Sequence, residues 1–343
     1  MNPSAETWRE LLGELTALPA ERQRVAEALG VNAYTVTRWV EDKADPRATS
    51  LKNLPDVFPS PYREQLAALI QADFFPHMTA GPLPSAGHPQ ADEVPVEHLA
   101  RTLAAYASIG GRFRAWSIRN LILQWAIGQL DSDQMGVQLT VVQCVPPRPE
   151  QSVRTLCERM SVGTALWDSG VRSRLSFLGA ESLCGWTVGR GEPGVVQDTE
   201  QNRGSFPVRP DPDEKSAATW PFQREGKLAG CLLVSSHQVN YFTPLRLSWI
   251  EIYANALALS FRDEEFYDLR QIALHEIPEL AQQQEYTSLT RLRDRVTSLR
   301  RERMYQLSEA EAETLVLQEM EAAVPTFDQD SYPVRFSRPV RYP

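Results

Sequence analysis

The segment from Leu139 to Phe261 constrains the fold most, because short apolar runs alternate there with glycine and proline at regular intervals. Runs of this length that are rich in β-branched and aromatic residues predict the strands of an antiparallel sheet. Glu225-Gly226, between two such runs, predicts a tight hairpin turn. Strands or strand edges are expected over 139–145, 155–160, 175–178, 195–197, 217–223 and 228–235, a short helix over 180–188 and a closing helix over 245–261. The expected class is α+β, with a central antiparallel sheet.

The order of motifs in this segment narrows the fold further. A short helix leads to the loop Gly191-Glu192-Pro193-Gly194 and a strand that ends at Asp198. Later motifs are Trp220-Pro221-Phe222, the hairpin from Gly226 to Gly230, and Phe242-Thr243 before the closing helix. Together they resemble a GAF domain, a small-molecule-sensing and dimerising α+β module. The resemblance says little about the ligand, because one fold serves many ligands.

The resemblance places a ligand pocket between the sheet and the short helices and loops on one of its faces. Three tryptophans around such a pocket favour a flat aromatic or apolar ligand. The alternative is that these rings fill the interior themselves and leave a closed dimerisation domain. The residues expected to line the pocket are Trp167, Phe177, Leu183, Cys184, Trp186, Asp198, Trp220 and Phe222.

Residues 1–75 predict a separate all-α domain. Small and apolar residues lie at Ala26, Gly30, Val36 and Trp39, and this spacing resembles a helix-turn-helix of the lambda-repressor-like (XRE) class. The resemblance implies contacts with double-stranded DNA. Arg38 would contact a guanine edge, Tyr34 or Thr37 a phosphate or thymine methyl, and Gln23 a phosphate, with Ala33 also facing the major groove.

Charge weighs against the DNA-binding interpretation of residues 1–75. The segment holds 11 acidic and 8 basic side chains, and the whole chain has a formal net charge of −9. Since DNA affinity depends largely on phosphate neutralisation, one copy alone is expected to bind weakly. The alternative is a helix-turn-helix that docks a protein partner.

The remaining segments flank these two domains. Residues 76–95 are rich in proline and predict a flexible linker. Helical residues from 96 to 130 complete a GAF domain over 96–262, and their second half is too apolar for one solvent-facing side. A second subunit, giving a homodimer, is one way to cover it, and burial within one chain is the other.

Helical periodicity continues beyond the GAF segment as far as Ile277, and Pro278 ends it. A helical extension over 263–323 is therefore predicted, with Leu289, Leu292, Val296 and Leu299 forming either a short coiled-coil seam or a helix that folds back on the GAF domain. Residues 324–343 form a tail of arginines, aromatics and prolines.

No catalytic constellation emerges from the sequence. The cysteines at 144, 157, 184 and 231 lack metal-site spacing, so buried free thiols in a reducing cytoplasm are expected. A methionine-sulfoxide reductase would need grouped cysteines, a pattern that the sequence does not show. We therefore expect a cytoplasmic, non-enzymatic, ligand-responsive transcriptional regulator, without metal or cofactor apart from an unidentified small molecule and without membrane association. The alternative is a non-enzymatic interaction or scaffold protein.

Overall fold

The structure is a computed structural model that describes residues 7–44, 46, 50, 53–59, 62–74, 94–108, 114–164, 167, 170–172, 175–202, 213–278, 280–283, 289–304 and 306–324. It divides into two compact units, one holding residues 1–85 and 103–117 and the other residues 86–102 and 118–343. Most of the predicted linker, 76–93, and the tail from 325 lie outside the described residues. Among the helices of the described part, none is long and apolar enough to cross a membrane.

The first unit is helical in its described part. Its α-helices are α1 (Trp8–Leu15), α2 (Pro19–Ala28), α3 (Ala33–Val40) and α4 (Tyr62–Phe74), with a 3-10 turn at Pro55–Val57. Thr7 and Glu10 form a capping box at the start of α1, and Pro19 occupies the first turn of α2, where its missing N–H is not needed. Gly30 has a φ of +64°, which allows the turn between α2 and α3. These signals fix the helix ends close to their predicted positions.

The second unit is built on an antiparallel sheet. Its strands are β1 (Val137–Cys144), β2 (Leu156–Gly163), β3 (Gly170–Arg172), β4 (Phe177–Leu178), β5 (Gly194–Val196), β6 (Ser216–Arg224) and β7 (Lys227–Ser236). The order across the sheet is β3-β2-β1-β7-β6-β5, and β4 pairs with β2. Helices α5 (Val96–Ser108) and α6 (Arg114–Leu130) belong to this unit over 96–102 and 118–130, and α7 (Leu183–Arg190) and α8 (Pro244–Ala258) belong to it entirely. The predicted α+β class with an antiparallel sheet is confirmed.

Helices α6 and α8 are joined by hydrogen bonds. The Tyr241 hydroxyl, just before α8, donates to the Leu130 carbonyl, and the Tyr253 hydroxyl donates to Gln129 Oε1 at 2.6 Å. From 118 to 130 only Gly128 is exposed. The apolar helix is thus enclosed within one chain, the second of the two alternatives above, and the homodimer stays a prediction.

The chain after α8 departs from the predicted helix. Instead of helical periodicity to Ile277, two 3-10 turns cover 263–265 and 269–271. Tyr267 exchanges two backbone hydrogen bonds of 2.9 Å with Leu228, and Ile272 bridges Val153. Backbone groups that pair with the sheet are not available to a helix, so the predicted helix over this stretch is wrong.

The C-terminal helices fold back on the sheet. They are α9 (Leu280–Gln283), α10 (Leu289–Glu302) and α11 (Glu309–Ala323). Leu292, Val296 and Leu299 lie in one buried cluster with Cys157 of β2 and Phe177 of β4. The Thr155 hydroxyl donates to Glu321 at 2.6 Å, and Arg159 pairs with Glu313. The seam predicted in this segment therefore packs against the central domain of the same chain.

Candidate functional site

Helix α3 carries four of the five residues predicted to contact DNA, and Gln23 lies on α2. The Asn32 side chain caps it by accepting from the Thr35 N–H at 2.7 Å. Val36 and Trp39 are buried in the core of the first unit, as the helix-turn-helix spacing predicts. One side of α3 is thereby held on the core, and its other side is available for contacts.

The five predicted DNA contacts differ in their exposure. The Tyr34 side chain is 70% exposed, and Gln23 and Arg38 are exposed as well. Ala33 and Thr37 are half-buried, and the Thr37 hydroxyl donates to the Ala33 carbonyl. The side chains that reach furthest from α3 are therefore Tyr34 and Arg38.

Two of these side chains already have partners within the unit. Arg38 donates to the Lys43 carbonyl at 3.0 Å, and Gln23 donates to Glu27 at 2.8 Å. Both contacts are exposed, where hydrogen bonds compete with water and contribute little to stability. Either side chain can leave its partner at small cost when a phosphate or base is offered.

The central sheet presents two faces with different chemistry. Residues directly opposite each other on neighbouring strands point to the same side of a sheet. The Thr187 hydroxyl of α7 hydrogen-bonds the Thr219 hydroxyl of β6, which identifies the side that we call the α7 face. Along β1, β2, β5, β6 and β7 it carries Gln138, Thr140, Val142, Cys144, Leu156, Glu158, Ser161, Gly163, Gly194, Val196, Ala217, Thr219, Pro221, Cys231, Leu233 and Ser235. Six of these sixteen residues have polar side chains.

Two buried carboxyl groups lie at the α7 face. Glu158 accepts from the Ser176 hydroxyl and Glu214 from the Ser235 hydroxyl, and each glutamate is only 4% exposed. Strand register places Glu158 on the α7 face, and the bond from Ser235, which lies on that face, places Glu214 there as well. Burying a carboxyl group costs free energy unless it is hydrogen-bonded, and here each one accepts a bond from a serine hydroxyl.

Trp167 and His237 lie where β2 and β7 end. Their rings are 4.3 Å apart and meet edge to face. Trp167 Nε1 and His237 Nε2 are both buried without a hydrogen-bond partner. His237 follows Ser235 by two residues at the end of β7, so His237 lies on the same side of the sheet as Ser235, which is the α7 face.

Helix α7 supplies the apolar part of this face. The Ser182 side chain caps it by accepting from the Gly185 N–H at 2.9 Å. Leu183 and Cys184 are buried with Cys144 and Cys231, and half-buried Trp186 packs against the same cluster. A hydrogen bond with Cys231 and burial raise the pKa of Cys184, and burial raises the pKa of Cys144. All four cysteines are free and buried, as predicted.

The structure brings only part of the predicted pocket together. Trp167, Leu183, Cys184 and Trp186 lie towards the α7 face, at its end and under its helix. Asp198 instead caps a turn, because its Oδ1 accepts from the Glu200 and Gln201 N–H groups.

Three predicted pocket residues point elsewhere. Trp220 and Phe222 pair with Leu232 and Gly230 and lie on the opposite side of the sheet, where the Phe222 ring is 4.9 Å from that of Phe261. Phe177 is fully buried against the C-terminal helices. The prediction that these three line one pocket with Leu183 and Cys184 is corrected, because the strand register and the returning C-terminal helices direct them away.

Three polar residues of the site were not identified from the sequence, namely Glu158, Glu214 and His237. Glu158 is an acidic residue in the middle of β2, which also holds Leu156, Cys157, Met160 and Val162, and this was the available signal. His237 directly follows the buried strand β7, whereas Glu214 lies in a polar stretch that resembles a loop. In the part of the chain that the structure describes, no group of three or more His, Cys, Asp or Glu side chains is arranged to hold a metal ion.

Solved structures with a similar fold include GAF domains. The GAF domain of a phosphoenolpyruvate-protein phosphotransferase from Acinetobacter is 14% identical, with 48% of this chain and 90% of that chain covered and a TM-score of 0.36. The corresponding domain from Coxiella burnetii is 14% identical, with 48% of this chain and 90% of that chain covered and a TM-score of 0.32. Free methionine-R-sulfoxide reductase from Neisseria meningitidis, solved with its substrate, is 14% identical, with 48% of this chain and 87% of that chain covered and a TM-score of 0.32. No protein-family model and no curated protein matches the chain. The likeness to GAF domains is one of fold alone.

Proposed function

We propose that this chain is a ligand-responsive DNA-binding regulator. Its central domain binds a small molecule, and its N-terminal helices bind double-stranded DNA as part of a homodimer. The observation that carries the proposal is the polar content of the α7 face, where two carboxyl groups and several hydroxyls are buried. A domain used only for pairing gains nothing from such groups, whereas a binding site uses them to orient a ligand.

The DNA-binding half of the proposal is supported by helix α3. Its apolar side is seated on the core, while Tyr34 and Arg38 extend from the other side. An arginine on an exposed recognition helix is suited to a bidentate contact with guanine. A homodimer on two half-sites would double the number of phosphate contacts, so it should bind more tightly than one copy alone.

The DNA contact can be tested with a random duplex library and the full chain at about 50 mM salt, where electrostatic binding is strong. We expect selected duplexes to bind and Arg38→Ala to weaken binding about tenfold, the effect of losing one base contact. Arg63→Ala is the matched control, because it removes an exposed arginine of α4 and should change affinity far less. Failure of the wild-type chain to bind any duplex would refute this half of the proposal.

The sensing half can be tested by native mass spectrometry of the purified chain. We expect a dimer that retains a small organic molecule. If this molecule regulates binding, operator affinity should change about thirtyfold, which requires roughly 2 kcal/mol of differential affinity between two states. A retained molecule without any effect on DNA affinity would separate sensing from regulation.

We also propose that the central domain binds without catalysis. The thiolate is the reactive form of cysteine, and the raised pKa values of Cys184 and Cys144 disfavour it. Turnover of free methionine sulfoxide is the relevant assay, since one similar structure is such a reductase. We expect no turnover, and activity that Cys184→Ala and Cys231→Ala abolish would contradict this.

A second candidate is an interaction protein whose helix-turn-helix docks a partner. The observation that favours it is charge, since residues 1–75 hold 11 acids and 8 bases, a net charge of 8 − 11 = −3. This alternative has an empty central domain, so absence of DNA binding at low salt, together with no retained small molecule, would favour it.

A further inference from the structure

Two ring nitrogens at one end of the α7 face are buried and have no hydrogen-bond partner. They are Trp167 Nε1 and His237 Nε2, in side chains whose rings meet edge to face at 4.3 Å. Trp167 is only 5% exposed. Buried polar atoms in folded proteins are rarely left unpaired, so a pair of them in contact calls for a specific explanation.

The main chain of both residues is hydrogen-bonded. The Trp167 backbone N–H donates to the Thr164 carbonyl at 2.8 Å, and the His237 backbone N–H donates to the Gly136 carbonyl at 3.0 Å. Gly163 leaves room for the tryptophan, because a Cβ atom at that position would lie 2.7 Å from Trp167 Cβ. The backbone of β2 therefore accommodates this ring closely.

The chemistry of the two nitrogens defines what would satisfy them. An indole Nε1–H only donates, and an imidazole nitrogen donates when it carries the proton. A ligand oxygen with two lone pairs can accept from both. The pair is therefore suited to a carbonyl, hydroxyl or acid oxygen.

Charge selects among these oxygens. Both ring nitrogens are buried, and Trp167 is only 5% exposed. Moving an ionised ligand group from water into such a place costs far more than moving a neutral one. An uncharged oxygen acceptor meets the requirement of the nitrogens without this cost.

We propose that Trp167 and His237 form the polar end of the ligand site and bind an uncharged oxygen acceptor, such as an amide or ketone carbonyl, rather than a carboxylate or phosphate. This inference rests on the proposed function, because it names the ligand class of the small-molecule site. It differs from the flat apolar ligand expected from the sequence by requiring an acceptor.

The test uses three probes of similar shape on the full chain. Benzamide offers a carbonyl, benzoate carries a charge, and toluene lacks an acceptor. The side-chain N–H resonances of the eight tryptophans are followed by NMR, and Trp167→Phe assigns the relevant one. Trp249 is the matched internal control, since its Nε1 is also buried without a partner but lies on α8.

We expect benzamide to shift the Trp167 resonance saturably and to leave that of Trp249 unchanged. Benzoate and toluene should bind about tenfold more weakly, and Trp167→Phe, which keeps the ring but loses the donor, should weaken benzamide binding to a similar extent, about tenfold. The other seven resonances of that variant report whether it is folded.

Three results would overturn the inference. They are no shift of the Trp167 resonance with any probe, equal binding of toluene and benzamide, and tightest binding of benzoate.

Native mass spectrometry separates failure of this inference from failure of the proposed function. If the wild type and Trp167→Phe both retain a molecule equally well, the domain binds a ligand without this pair; if neither does and no probe binds, both proposals fail.

Discussion

The two faces of the central sheet are made by the same strands but differ in chemistry. The side opposite the α7 face, which we call the α8 face, carries Val137, Leu139, Val141, Cys157, Met160, Val162, Val195, Ala218, Trp220, Phe222, Gly230, Leu232 and Val234, with Gln143, Ser216 and Ser236 as its polar members. The α7 face instead carries Thr140, Glu158, Ser161, Thr219 and Ser235 among its apolar residues. Both faces are largely buried.

This comparison shows that burial alone does not distinguish a core from a site. Hydrophobic burial stabilises the α8 face directly, because most of its side chains are apolar and lose no hydrogen bonds when they leave water. Each buried hydroxyl or carboxyl of the α7 face must regain in the protein the hydrogen bonds that it had with water. Both faces contribute apolar burial, and the α7 face differs by its hydrogen-bonded polar groups and by the two unpaired ring nitrogens of Trp167 and His237 at its end.

The largest effect is expected from Phe222→Ala on the α8 face. Phe222 is fully buried against Phe261, so truncation leaves a cavity and should lower the free energy of unfolding by about 3–5 kcal/mol. Guanidinium denaturation measures this. Benzamide binding by the folded fraction should stay the same, since the ring lies on the other side of the sheet. If the folded Phe222→Ala variant also lost benzamide binding, the two faces could not be assigned separate roles.

A smaller loss is expected from Gly185→Ala in α7. An added Cβ would lie 1.9 Å from the Gly179 carbonyl oxygen, so the helix must shift away from its neighbour. We expect a cost of about 3 kcal/mol in the free energy of unfolding, typical of overpacking. Gly189→Ala in the same helix is the matched control, because nothing lies within 4 Å of its Cβ position.

The free energy of unfolding should rise in the control variant, whereas it falls in Gly185→Ala. Alanine favours a helix over glycine by about 0.5–1 kcal/mol, so Gly189→Ala should stabilise the protein slightly. Equal effects of the two substitutions would mean that α7 does not pack against the chain at Gly179. The α7 face would then be more open than the structure shows.

The sequence allowed much of the fold to be predicted because its signals are local. Gly30, Pro19 and the capping residues Asn32 and Ser182 act within a few residues of their own position. Strand existence follows in the same way from short apolar runs. These features need no knowledge of what packs against them.

The composition of the site depends on contacts between distant segments. Trp220 and Phe222 alternate with Pro221, so their common side is visible in the sequence. Which side it is depends on the pairing of β6 with β7, with its register shift after Phe222. Phe177 was misplaced because residues more than a hundred positions later return to cover it, as the bond from its N–H to Gln283 shows.

The smallest effect concerns the C-terminal helices that pack beside β2, through the pair of Arg159 and Glu313. The charge of Arg159 lowers the pKa of Glu313 below its usual 4.5, so the ionised form is favoured in the folded state. The stability from this pair is present above the unfolded pKa and is lost as pH falls through the folded value. Glu313→Gln should therefore flatten the decline of unfolding free energy in acid. Glu319→Gln, which removes the exposed pair with Arg295 in the same hairpin, should leave the decline close to that of the wild type. Identical pH profiles for Glu313→Gln and the wild type would show that this pair does not hold the hairpin to β2.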